Sequence, residues 1–237
     1  ISAYLNDFNI INLSSTNLID KAHLIKETVD GLIGPTIIEQ TNSKIVAKDF
    51  LNPEDVSVRE MIRKIDIIIR SMIIDIKTSN EKNILDAIPL KDKGIDKLTF
   101  LVLRTMRYHI TSNRKLYDMN FDDLLKHWDT ISYMEKIGDE LKRISRYITK
   151  ISDKKVYKQL VDMLSKIEET YYGIMKSYYN NDMELAYSHS HKKKELSDEC
   201  DKIYEENWNK KYIPLILERF KNIIGRCHNI GRLVYSC

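Results

Sequence analysis

The sequence predicts a mainly α protein: two tandem three-helix bundles preceded by a small βαββ unit. Three observations carry that expectation. The 237 residues include only 7 glycines and 4 prolines. That is too few for a sandwich or barrel, which needs a turn signal about every 8–12 residues. From Pro53 onward, apolar residues recur three and four apart and leave a polar face over, the pattern of amphipathic helices around a core. Ile137-Gly138 and Ile224-Gly225 stand 87 residues apart, the length of one three-helix unit. A glycine inside a helix costs about 1 kcal/mol against alanine. Its recurrence in the last helix of each triplet predicts a close helix approach at an equivalent place.

Residues 1–52 form the small α/β unit. Asp7 to Leu13 alternates apolar and polar, which predicts a short strand. Ser14-Ser15-Thr16-Asn17 supplies N-caps for a helix with apolar positions Leu18, Ala22, Ile25, Val29, Leu32 and Ile33. Gly34-Pro35 stops that helix. Residues 36–40 and 44–48 flank Thr41-Asn42-Ser43 and read as a hairpin. The first bundle occupies 53–152 and the second 153–237. A capping box, Ser57 to Glu60, opens the first long helix, followed by Val58, Ile62, Ile65, Ile69, Met72 and Ile76 at helical spacing. Polar breaks then divide the chain into helices over 55–78, 82–117, 121–151, 154–179, 182–207 and 210–236, with a bend expected near Pro89. Short connections make successive helices antiparallel neighbours.

Charge and cysteine content narrow the function. The 38 basic and 35 acidic residues leave a net charge of +3, far from the basic footprint of a nucleic-acid-binding domain. Cys200, Cys227 and Cys237 form no CxxC pair and are odd in number, so a reducing, cytoplasmic setting is expected rather than a disulfide framework. The most apolar run, Ile65 to Ile76, contains Asp66, Arg70 and Asp75, so no membrane insertion is expected. No signal peptide is recognisable. The chain opens on Ile1 rather than Met, which leaves room for a segment upstream.

Two acidic pairs are the candidate chemistry. Glu135 and Asp139 stand four residues apart on one helix, and Asp92 and Asp96 do so on the preceding one. Residues i and i+4 share a helix face, and oxygen-only clusters suit hard divalent ions or iron. At about 100° per residue, Glu135 and Asp139 fall roughly 120–170° from the stripe Met134, Ile137, Leu141, Ile144 and Ile148. They therefore point away from the core, where a solvated face is the competing reading. His189-Ser190-His191 followed by Lys192-Lys193-Lys194 offers a metal or phosphate site, against an exposed helix face. His228 beside Cys227 reads as incidental. Arg104, Arg107 and Arg114 form a basic row read as solvated, with a partner face as the alternative. The 14 tyrosines, among them Tyr171-Tyr172 and Tyr178-Tyr179, read as packing and interface. No HExxH, no Glu-x-x-His and no Gly-rich phosphate loop occurs.

Trp128 to Ser145, centred on Glu135-Lys136-Ile137-Gly138-Asp139, resembles the signature helix of the PhoU family. Asp92 to Arg104 looks like the helix that precedes it there, and the six-helix layout over 53–237 is similar to the family's. Leu32 to Thr41, Ile45 to Glu54, Arg63-Lys64 and Ser71-Met72 resemble archaeal PhoU-like proteins. In those an AbrB-like DNA-binding domain commonly comes first, and no such domain is recognisable here. The resemblance implies a non-enzymatic regulator of phosphate uptake, an adaptor toward a phosphate transporter or signalling protein. It also implies divalent or iron-type metal at Asp92, Asp96, Glu135 and Asp139. Glu195 and Glu199 are weaker candidates in the second bundle, because Asn222 and Arg226 stand where the last helix would supply its acidic pair, and Arg226 would repel a cation.

Two other functions compete. A metal-dependent phosphohydrolase would use the same carboxylates to activate water, although no general base or phosphate clamp is recognisable. The chain could also be the sensing and dimerisation body of a transcription regulator that reaches DNA only through a missing N-terminal domain. A homodimer paired through an edge strand of the small unit is a further expectation.

Overall fold

The computed structural model describes residues 1–78, 81–111 and 121–235. The fold is the one expected: helical bundles in tandem along the chain, with a three-stranded sheet near the start. No described helix is long and apolar enough to cross a membrane. The chain divides into two compact units, residues 1–63 with 93–128 and residues 64–92 with 129–237. The three helices of the first bundle thus contribute residues to both units.

The first unit holds α1 (Ser2–Leu5), β1 (Ile10–Ser14), α2 (Ala22–Asp30), β2 (Pro35–Gln40) and β3 (Lys44–Asp49). The expected βαββ order is present, with a one-turn helix ahead of it. The helix expected from Leu18 to Ile33 is regular only over α2, and a 3-10 turn at Ile19–Lys21 precedes it. The sheet order is β1-β3-β2, antiparallel throughout, with Ile11 opposite Ala47 and Ala47 opposite Ile37. The turn forms at Thr41, whose N–H donates to the Lys44 carbonyl at 2.8 Å and whose Oγ1 accepts from the Lys44 N–H at 3.0 Å. As the central strand, β3 buries Ile45, Val46 and Ala47. Gly34 sits at φ +106°, and a Cβ there would lie 2.4 Å from Asp49 Oδ1. Both the backbone angle and the close approach require glycine.

The same unit includes the start of α3 (Val58–Thr78), residues 93–111 of α4 (Glu81–Thr111) and the start of α5 (Phe121–Ile148). Ser57 caps α3, its Oγ accepting from the Glu60 N–H at 3.3 Å. Helix α4 is continuous through Pro89, and its expected extension to 117 lies outside the described residues. The basic row on α4 needs correction. Arg104 is not solvated: it is 0% exposed. Its Nε and Nη2 donate to Asp7 Oδ1 at 2.9 and 2.7 Å, and its Nη1 donates to Asp49 Oδ2. Its guanidinium also lies 4.9 Å from the Tyr4 ring centre. Arg104 therefore ties α1, β3 and α4 together, with two carboxylates matching its buried charge. Burial raises the Tyr4 phenol to about 12, against the lowering influence of Arg104. Arg107 is exposed and donates to Asn6 Oδ1 at 3.3 Å. Arg114 lies outside the described residues.

The second unit contains the rest of α3 to α5 and α6 (Lys154–Asn180), α7 (Met183–His191), α8 (Lys193–Asn207) and α9 (Ile213–Tyr235). The α5 stripe Met134, Ile137, Leu141, Ile144 and Ile148 is fully buried, as its spacing predicts. Asp153 caps α6 by accepting from the Lys155 and Val156 N–H groups, and Asp182 caps α7 by accepting from Leu185. Asn181 ends α6 in the left-handed region at φ 52°. The single helix expected over 182–207 is two helices, broken at Lys192. Tyr171 is buried, and Tyr179 donates to buried Asp66 at 3.0 Å while Arg70 Nε donates to the same carboxylate at 2.8 Å, so these tyrosines do serve packing.

The repeated glycine does not mark close approach in the last helix. A Cβ on Gly225 would meet nothing within 4 Å. The tight contacts lie elsewhere. A Cβ on Gly231 of α9 would lie 2.9 Å from Ile174 Cδ1 and 3.1 Å from Ser190 Cβ. One on Gly173 of α6 would strike the His189 ring at 2.3 Å. Both glycines therefore seat α7.

Candidate functional site

Asp92 on α4 is only 3% exposed and accepts from Lys142 Nζ on α5. Asp139 has Arg143 Nη2 at 3.3 Å from Oδ2 and Lys142 Nζ at 4.0 Å from Oδ1. Lys142 thus stands between the two carboxylates that were to share a metal. Glu135 is half-buried on the same helix. Asp96 belongs to the other compact unit, where it lines a concavity of about 370 Å³ with Glu27, Lys93 and Lys97. Among the described residues, no three His, Cys, Asp or Glu side chains gather in a way that could hold a metal ion. The donors fit a metal poorly for a physical reason. Asp92 and Asp139 already face an ammonium or a guanidinium, and a divalent ion would have to displace that charge or sit against it.

One carboxylate escaped the sequence reading. Glu140 is 6% exposed and accepts from Asn222 Nδ2 at 3.0 Å and from Arg219 Nη1 at 3.3 Å, both on α9. Arg143 Nη1 lies 3.4 Å away. The signal was present in the spacing. Glu140 follows Ile137 by three and precedes Ile144 by four, so it borders the buried stripe. The Asn222 that broke the acidic repeat is its partner. In the second bundle, Glu195 is exposed and Glu199 accepts from Lys166.

The junction of α7 and α8 is differently built. Lys192 is the single non-helical residue between them, and its Nζ donates to Glu169 at 3.0 Å. Ser190 is 1% exposed. Its Oγ lies 2.7 Å from His228 Nδ1 and 3.3 Å from the Tyr235 hydroxyl. His228 is therefore not incidental. Its Nδ1 also lies 3.2 Å from the Ser190 carbonyl, and a carbonyl only accepts, which assigns the proton to Nδ1. Burial first, and Lys193, Arg232 and His191 after it, lower the His228 pKa. Beside this pair lies a concavity of about 380 Å³ lined by Ser190, His191, Lys193, Lys194, Ser197 and His228. The neighbouring Cys227 is buried, and burial pushes its thiol up to about 12, which makes it inert as a nucleophile or metal ligand.

With this geometry in place, comparison with known proteins bears on the fold. No protein-family model matches the sequence, and no curated protein matches it. Among solved structures, the crystal structure of PhoU from Pseudomonas aeruginosa superposes with a TM-score of 0.67 at 15% identity, covering 75% of this chain and 93% of that one. The chain therefore has a PhoU-like fold.

Proposed function

We propose that this chain is a cytoplasmic, non-enzymatic regulator of phosphate homeostasis that acts by docking to another protein. One observation carries the reading: the fold accounts for 93% of the length of PhoU from Pseudomonas aeruginosa, so nearly the whole of that architecture is reproduced. The expected partner is a phosphate transporter or a signalling protein. The surface of α7, α8 and the residue that follows α8 supports docking, since Met183, Tyr187, Tyr204 and Trp208 are all large and exposed, and aromatic residues and methionine are enriched where proteins meet. The metal-organised version of this role draws no support from Asp92 and Asp139, whose charges Lys142 and Arg143 already match.

The test is phosphate uptake by cells that lack their own PhoU-type regulator and express this chain. In phosphate-rich medium, initial uptake should fall toward the level of regulated cells. Trp208→Ala with Tyr204→Ala should lose that effect while keeping the helical circular dichroism. Unchanged uptake with the folded chain present would remove the proposal.

A further inference from the structure

We propose that the concavity at the α7–α8 junction is a binding site for a phosphoryl dianion, with inorganic phosphate as its ligand, held by Lys193, Lys194, His191 and His228.

Charge left unmatched in a built recess points to this ligand. The recess of about 380 Å³ is lined by Lys193, Lys194 and His228, together with Ser190, His191 and Ser197. Lys192 is neutralised by Glu169 and Lys166 by Glu199. Among the described residues, no such ion pair forms at Lys193 or Lys194. The charged groups that act on His228 are Lys193 from α8, His191 from α7 and Arg232 from its own helix, all basic. Lysines repel metal cations and attract anions, so of the two ligands open to this histidine- and lysine-rich segment, phosphate fits and metal does not.

The recess is held in shape. Ser190 is buried against Gly231, where any Cβ would intrude, and it grips His228 Nδ1 at 2.7 Å. Nδ1 is thus engaged inward, and Nε2 is the nitrogen left for a ligand. With the proton on Nδ1, neutral Nε2 accepts. Hydrogen phosphate carries a P–OH that can donate to it, whereas sulfate has no proton to offer and meets the bare nitrogen lone pair. A nucleophilic role for Ser190 is disfavoured by its burial, which keeps substrate from its Oγ. The inference does not depend on the docking reading, because it concerns a ligand of this chain alone.

The experiment is equilibrium dialysis of the full chain with labelled orthophosphate, beside Lys193→Gln/Lys194→Gln. Both lysines are exposed, so the variant should keep the wild-type far-ultraviolet spectrum. A dissociation constant of about 1 mM or tighter is expected for the native chain, weakened at least about tenfold in the variant. At about pH 8, where Nε2 is neutral, phosphate should outcompete sulfate. A nucleoside monophosphate run in parallel separates a free ion from a phosphoryl group carried on a metabolite. Orthophosphate binding tighter upholds the proposal, and the monophosphate binding tighter overturns its choice of ligand. No binding up to about 10 mM, or equal binding by the variant, overturns the site. The uptake assay reads partner docking and can fail or succeed separately.

Discussion

Two clusters of charge in the second unit make an instructive contrast. Around α5, the acids Asp92, Asp139 and Glu140 meet Lys142, Arg143 and Arg219. At the α7–α8 junction, Lys193, Lys194 and His228 line a recess whose lining residues include no acid. The sequence motif pointed to the acids as the site. The structure shows their charge already matched within the protein, while the basic recess retains a field that an anion can satisfy. Which residues are present matters less than which charges remain after folding.

The strongest way to break the contrast is to remove its internal cation. Lys142→Ala strands Asp92, almost fully buried, and should cost about 3 kcal/mol or more, read as a lower urea midpoint at unchanged m-value. A loss within about 0.5 kcal/mol, the usual size for a surface pair, would show that Lys142 is not what satisfies Asp92. A second loss of similar size involves His127. Burial first, then Arg59 and Lys126 against Asp123, lowers its pKa to about 4. The unfolded chain, titrating near 6.5, binds the proton first. Stability therefore stays whole above about pH 6.5 and should drop on the order of 3 kcal/mol as pH falls to about 4. Histidine resonances followed by NMR sharpen this further: phosphate should raise the His228 midpoint and leave that of His127 where it is.

Gly231→Ala tests whether the recess depends on the close seating of α7. Ser190 Cβ and Ile174 Cδ1 would have to yield, at a cost of about 1–3 kcal/mol, and phosphate affinity should fall with it. An unchanged melting temperature would mean the contact relaxes freely. The smallest expected effect is Glu199→Gln. Its pair with Lys166 is half-exposed, so stability should move by less than about 0.5 kcal/mol, and phosphate binding should not weaken.

Much of the fold was legible because it is local. The α5 stripe, the Ser57 cap and the turn at Thr41 each depend on residues within a few positions of one another. Arg104 was not legible, because its partners Asp49 and Asp7 stand 55 and 97 residues away. Nothing near it distinguishes a buried arginine from a solvated one. The break at Lys192 was hidden because it carries neither glycine nor proline. The Gly138/Gly225 repeat misled because a helical glycine signals close approach only if a neighbour comes near, and at Gly225 none does. Of the site, the basic run was noticed but its value was not. Its meaning depends on His228 and Ser190, brought together from 38 residues apart.

The claim that the carboxylates are satisfied from within is tested most directly by metal content. Native chain purified without chelators should carry no stoichiometric metal by elemental analysis, and its melting temperature should be the same with a chelator as with manganese. One or more metal ions per chain, lost in Asp92→Asn/Asp139→Asn, would contradict the account and return the acidic pairs to the centre of the function.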